Sequence, residues 1–159
     1  MSRSRPGRIA LQVVAVGKIR PPLVAASDEY ERQISKRCAM TVEEVRQGHG
    51  SSGEATRREA AAIERALLDR AHIVCLDPAG REFGTSESFA GWVAGRLEVP
   101  VPTAFVIGGP DGVDESIASA AHERRSLGPL TFPHQLARVV LLEQLYRALL
   151  IREGHPYPR

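Results

Sequence analysis

Lysine is almost missing from this 159-residue chain: Lys18 and Lys36 are the only two, and the rest of its 21 basic residues are arginines. Arginine's planar fork suits phosphate and carboxylate better than an ammonium does, although a GC-rich genome produces the same bias. Cysteine is scarce too. Cys38 and Cys75 stand far apart with no second cysteine near either, which excludes a CxxC zinc or redox motif and fits a reducing cytoplasm. No apolar run approaches the roughly 20 residues of a membrane helix, so no membrane partner is expected. Nor is there an excess of one charge: 21 basic residues face 19 acidic ones, and a net +2 does not single out a nucleic-acid binder. His49, His72, His122 and His134 lack metal-ligand spacing, so no metal is expected. Without a nucleophile elbow or a Cys/His signature, covalent catalysis has no candidate.

What remains is ordinary globular material, 43% hydrophobic and 25% charged, enough for one domain with its own core. Residues 1–8 (MSRSRPGR) read as a flexible leader before a single domain over 9–159. Ile9 to Val16 is apolar and β-branched, bounded by Gly17 and Pro21-Pro22, and predicts a buried first strand. Leu23 to Arg37 predicts a helix, Thr41 to Val45 a strand, and Glu54 to Arg70 a helix rich in Ala, Glu and Arg. His72 to Asp77 predicts strand three and PAGREFG a loop; Thr85 caps a helix to about Glu98, and Thr103 to Ile107 is a fourth strand. After GGPDG, a helix capped by Asp114 runs to Arg125. SLGPLTF holds a short fifth strand, and a long helix fills His134 to about Ile151. Strands alternating with helices, each strand a near-continuous apolar run, predict an α/β fold with a mostly parallel sheet covered on both faces. Ligands of such sheets sit outside the carboxyl ends of the strands. That edge carries Leu76-Asp77-Pro78, GGPDG and the turn before the last helix.

Three stretches there bear on chemistry. IGGPDG (Ile107 to Gly112) lets backbone approach a ligand, or makes only a tight strand-to-helix turn. It is neither GxGxxG nor a P-loop, which disfavours a nicotinamide dehydrogenase and the usual phosphate cradles. SLGPLTFPH offers backbone amides and carbonyls inside an apolar wall, the requirement for a flat heterocycle such as adenine; the alternative is an edge strand with a proline stop. The helix HQLARVVLLEQLYRALLI is apolar almost all round, which in so short a chain points to a subunit interface. On it Glu143 and Arg147 form an i,i+4 pair. Arg138 has no partner within the helix and is free to meet a phosphate, a carboxylate or a partner chain, unless it is simply a solvated arginine, the reading that periodicity alone favours. The chain ends on EGHPYPR, chemically rich where chain ends are usually bland.

Together LDPAG, VIGGPDG, SLGPLTFPHQLARVVLLEQLYRA and GHPYPR resemble the RlmH (YbeA) family, SPOUT-class methyltransferases that modify N3 of a pseudouridine in large-subunit ribosomal RNA with S-adenosylmethionine. The resemblance runs from Leu11 to Arg159. It implies a homodimer and a C-terminal trefoil knot, which connection rules alone would have disfavoured. It implies that Leu76, Gly108, Gly109 and the loop Leu127, Gly128, Pro129, Leu130, Thr131 and Phe132 hold the cofactor. Adenosylmethionine carries no phosphate, which agrees with the missing phosphate motifs.

Methyl transfer from a sulfonium requires alignment of acceptor, methyl and sulfur, exclusion of water, and loss of the N3 proton. His155 is the candidate base and Arg138 the candidate cation for the developing anion. Tyr157 could stack on a base, and Arg159, like Arg138, could meet RNA phosphate. One departure stands out: the family pattern ends in HPYHR, whereas Pro158 occupies the second histidine's position here, leaving His155 as the only tail imidazole. Low net charge suggests the assembled ribosome rather than bare RNA as the target. The rival expectations are another RNA, such as transfer RNA, or a ribosome-binding factor that keeps the fold without catalysis.

Overall fold

The computed structural model describes residues 8–157. Along the chain come β1 (Leu11–Val16), α1 (Val24–Ser35), β2 (Met40–Val45), α2 (Ser52–Ala66), β3 (His72–Glu82), α3 (Ser86–Glu98), β4 (Thr103–Ile107), α4 (Glu115–Ala120), β5 (Glu123–Ser126) and α5 (His134–Arg152). The strands form one sheet in the order β2-β1-β4-β3-β5, with every neighbouring pair parallel. All five carboxyl ends therefore lie along one edge.

β1 and β4 occupy the middle and are buried at every position, which requires cover on both faces. Alternation along the strands sends Leu11, Val13, Phe105 and Ile107 to one side, against α1, α3 and α5. Val14, Val16 and Val106 point to the other, against Ile63 of α2 and Ile117 of α4. Gln12 breaks the apolar run yet is wholly buried. Its Nε2 donates to the Ala66 carbonyl at 2.8 Å and its Oε1 accepts from the Leu68 amide at 3.0 Å, so it satisfies the end of α2 rather than leaving orphaned groups. Cover of the first face explains α5: Leu141, Leu142, Leu145, Ala148 and Leu149 are buried there between α1 and α3.

Four expectations about local structure need correction. The helix predicted over Glu54 to Arg70 ends at Ala66, and Arg70 has a positive φ of 59°. The PAGRE segment is not loop: β3 runs on to Glu82 through an irregularity between Leu76 and Arg81 and pairs with β5 on both sides of it. Gly80 permits this, because a Cβ there would lie 2.7 Å from the Arg125 amide nitrogen. The helix after GGPDG ends at Ala120 rather than Arg125, and the fifth strand is Glu123–Ser126 rather than part of SLGPLTF. ERRS carries no apolar alternation and is a strand through its pairing with β3. Arg125 lies over the Phe83 ring at 4.2 Å, and Arg124 pairs with Glu115.

Candidate functional site

At the carboxyl edge three segments converge on a cavity of about 190 Å³. Leu76, Asp77 and Pro78 of β3 form one wall, Ile107 to Pro110 with Gly112 and Val113 a second, and Ser126 to Gly128 with Leu130 to Phe132 a third; His134 and Ala137 of α5 close it. Of the residues that the resemblance assigned to a cofactor, all but Pro129 border this one cavity.

The turn after β4 demands its first glycine. The Gly112 amide donates to the Gly109 carbonyl at 3.0 Å, folding the chain so tightly that a Cβ on Gly108 would lie 2.6 Å from the backbone of Gly112. Gly112 itself has φ +79°, in the region that favours glycine. In the loop after β5 the Ser126 hydroxyl donates to the Gly128 carbonyl at 2.7 Å and accepts from its amide at 3.0 Å. That leaves the apolar side chains of Leu127, Leu130 and Phe132 around the opening, with Leu130 72% exposed.

Among the described residues the lining contains no lysine or arginine. Its one carboxylate is Asp77, whose Oδ1 accepts from the Ala79 amide at 2.9 Å, and its one imidazole is His134. Burial, reinforced by the charge of Arg20, holds His134 below the usual histidine range, which keeps its ring neutral. The cavity is thus built for a neutral or cationic ligand with a flat apolar part, not for phosphate. Sequence reasoning passed over His134 because it lacked metal spacing; its place directly after the LGPLTF loop was the available signal.

Arg138 is not the free cation expected. It is buried, its Nη1 lies 2.6 Å from Glu44 Oε2 on β2, and its Nη2 lies 4.0 Å from Glu31 of α1. Of the three partners open to it, a carboxylate of its own chain has taken it. Glu143 and Arg147 pair as expected, at 2.6 Å.

The tail is anchored to α5. The His155 amide donates to the Leu150 carbonyl at 2.9 Å while its side chain is exposed. Tyr157 lies under the Arg147 guanidinium, 4.1 Å from its ring centre, and edge-on to Tyr146. Burial, followed by the Glu143 carboxylate, pushes its phenol up to about 12. The cavity sits at the other end of the helix: from Ala137 on its wall to Arg152 the axis advances about 22 Å at the α-helical rise. Neither His155 nor Tyr157 of the chain is among the residues that line its own cavity. Pro158, Arg159 and leader residues 1–7 lie outside the described residues.

The parallel sheet with its ligand edge formed by β3, β4 and the β5–α5 loop is the SPOUT methyltransferase fold. It is similar to a probable methyltransferase from Bordetella pertussis Tohama I, at 16% identity and TM-score 0.56 over 89% of this chain and 95% of that one. It is also similar to the SpoU methyltransferase AviRb from Streptomyces viridochromogenes in complex with the cofactor AdoMet, at 15% identity and TM-score 0.50 over 95% of this chain and 61% of that one. A family model described as "Predicted SPOUT methyltransferase" matches residues 9–158. Ribosomal RNA large subunit methyltransferase H of Nitratidesulfovibrio vulgaris (strain Hildenborough) is 42% identical over 151 residues, covering 92% of this chain and 96% of that protein. The chain belongs to this ribosomal RNA large subunit methyltransferase H family of SPOUT methyltransferases.

Proposed function

We propose that this chain is an S-adenosylmethionine-dependent methyltransferase that acts in the cytoplasm, as a single-domain homodimer, on N3 of a pseudouridine in large-subunit ribosomal RNA of the assembled ribosome. The observation that carries this reading is the convergence of Leu76, Gly108, Gly109 and the Leu127–Phe132 loop on one cavity without cationic lining. Those residues suit adenosylmethionine: apolar walls for the adenine, backbone groups to orient it, and Asp77 as the sole anion beside a ligand that is itself cationic. When bound, the cofactor supplies an electrophilic methyl group. The trefoil knot implied by the family is part of the same reading.

The protein's own work is alignment, exclusion of water and removal of the N3 proton. His155 is the proton acceptor in this reading, Tyr157 stacks on RNA, and Arg159 meets phosphate. Because neither His155 nor Tyr157 lines the cavity of its own chain, the tail in this reading serves the cavity of a second copy. The 72% exposed Leu130 at the cavity mouth and the exposed Leu136 on the first turns of α5 are apolar surfaces that a second copy would cover. Arg138 contributes through the ion pair with Glu44 rather than by touching substrate.

Two measurements test the reading. Titration calorimetry is expected to give saturable adenosylmethionine binding; none by a folded dimer removes the methyltransferase. Mass mapping of ribosomal RNA is expected to show one methyl group lost on gene deletion and regained on restoration, and unchanged methylation sinks the substrate.

A further inference from the structure

Lys18 and Arg20 stand exposed on the loop between β1 and α1, which leaves the sheet at the same edge as the cavity. The backbone that carries them is tied down twice. The Ile19 amide donates to Glu44 Oε2 at 2.8 Å, and the Arg20 amide donates to Gln135 Oε1 at 2.8 Å. Glu44 is in turn gripped by Arg138 at 2.6 Å, so one carboxylate joins β2, the loop and α5. Gly17 starts the loop at φ +85°, where a Cβ would lie 3.7 Å from His134 Nε2 on the cavity wall. The charge of Arg20 is felt at that imidazole. Among the described residues neither Lys18 nor Arg20 is in an ion pair.

An ion pair between a buried arginine and a glutamate one third exposed is a weak source of stability, because desolvation and solvent screening offset most of the attraction. Here the pair has a geometric consequence instead. The Glu44 oxygen that meets Arg138 also accepts from the loop amide, and so holds a short segment bearing two unpaired cations at the cavity rim. Cations on an immobilised backbone lose less freedom on binding than cations on a loose loop. The cavity lining has no positive group among the described residues, so phosphates flanking a base presented at its mouth meet no cation inside it.

We propose that Lys18 and Arg20 form a clamp for the RNA backbone phosphates flanking the target base, and that Arg138 is a positioning residue that holds this loop through Glu44 and the Ile19 amide. The proposal rests on the RNA methyltransferase reading above.

The test uses the full chain and large-subunit ribosomal RNA in ribosomes, with binding measured across a salt series and steady-state kinetics alongside. For K18A/R20A the slope of log affinity against log salt should fall by about 1.4–1.8, the loss of two phosphate contacts. KM should rise more than kcat falls, and adenosylmethionine affinity should stay at the parent value. Unchanged slope and KM in a parent protein that binds and methylates the ribosome overturn the clamp alone. No ribosome binding by the parent overturns the function reading and the clamp with it. For the positioning role, E44Q keeps the side chain's volume and R138K keeps its charge. Both should melt as cooperatively as the parent and raise KM with a smaller change in kcat, R138K less than E44Q. A fall in kcat at constant KM would mean that Arg138 acts on the chemistry and overturns its positioning role.

Discussion

Replacing Gly108 by alanine tests whether the turn after β4 sets the ligand edge. The added Cβ would sit 2.6 Å from both the carbonyl carbon and oxygen of Gly112, and also 2.8 Å from Val113 Cγ2. Ordinary contact begins near 3.4 Å, so the turn has to open by about 0.8 Å, and no side-chain rotation relieves it because the obstacle is backbone. Overpacking of this kind costs about 1–3 kcal/mol. For a chain of this size that is a fall in Tm of roughly 2–12 °C. Because the same turn forms a cavity wall, adenosylmethionine affinity should drop at least about tenfold, equivalent to about 1.4 kcal/mol. Gly91→Ala is the control. Gly91 lies inside α3, and a methyl group added there would have nothing within 4 Å, so its replacement should stabilise the fold by about 0.5–1 kcal/mol and leave cofactor binding alone. Differential scanning calorimetry and titration calorimetry on both variants decide the matter. A Gly108→Ala protein with the parent's Tm and cofactor affinity would refute the reasoning.

Three further outcomes are expected. His155→Ala should lower turnover about 10²–10⁴-fold, the usual range for a lost general base, with cofactor affinity nearly intact; a large loss of cofactor binding would assign the tail to the pocket instead. Cys38 and Cys75 are buried, and burial pushes both thiols up to about 11, so Ellman's reagent at pH 8 should label neither faster than the chain unfolds. Prompt labelling of the folded protein would contradict that. Glu59 accepts from the Gly48 amide at 3.0 Å, and burial holds its carboxyl above the usual range. Its ionisation therefore opposes folding, and stability falls as pH rises from the unfolded-state value through the folded one. Glu59→Gln keeps the acceptor without the charge and should raise Tm at pH 7 but not at pH 3; a loss at pH 7 would reverse the argument.

The elements that could be read locally were those whose periodicity matches their burial. Leu11–Val16 and Thr103–Ile107 are apolar runs because both faces of the central strands are covered, and Thr85 at the start of α3 accepts from the Ser88 amide at 3.0 Å as a cap should. β5 could not be read that way. ERRS is polar, and only its register against β3, with Gly80 letting the two backbones close, makes it a strand. The candidate ligand edge followed from strand direction alone, since parallel strands bring their carboxyl ends together. His134 and the Arg138–Glu44 pair did not, because each depends on which loop meets the start of α5.

By itself, then, the amino-acid order determined the alternating α/β class, the apolar central strands, the family motifs and the absence of any phosphate-binding fingerprint. These are properties of residues and their near neighbours. The tertiary structure decided which distant groups share a space. It gathered segments around Leu76, Gly108 and Phe132 into one cavity, joined Arg138 to a carboxylate 94 positions away, and left His155 and Tyr157 outside the lining of their own chain's cavity. The reason is that a side chain's partner is fixed by sheet order and helix length, and neither is written in any local window of the sequence.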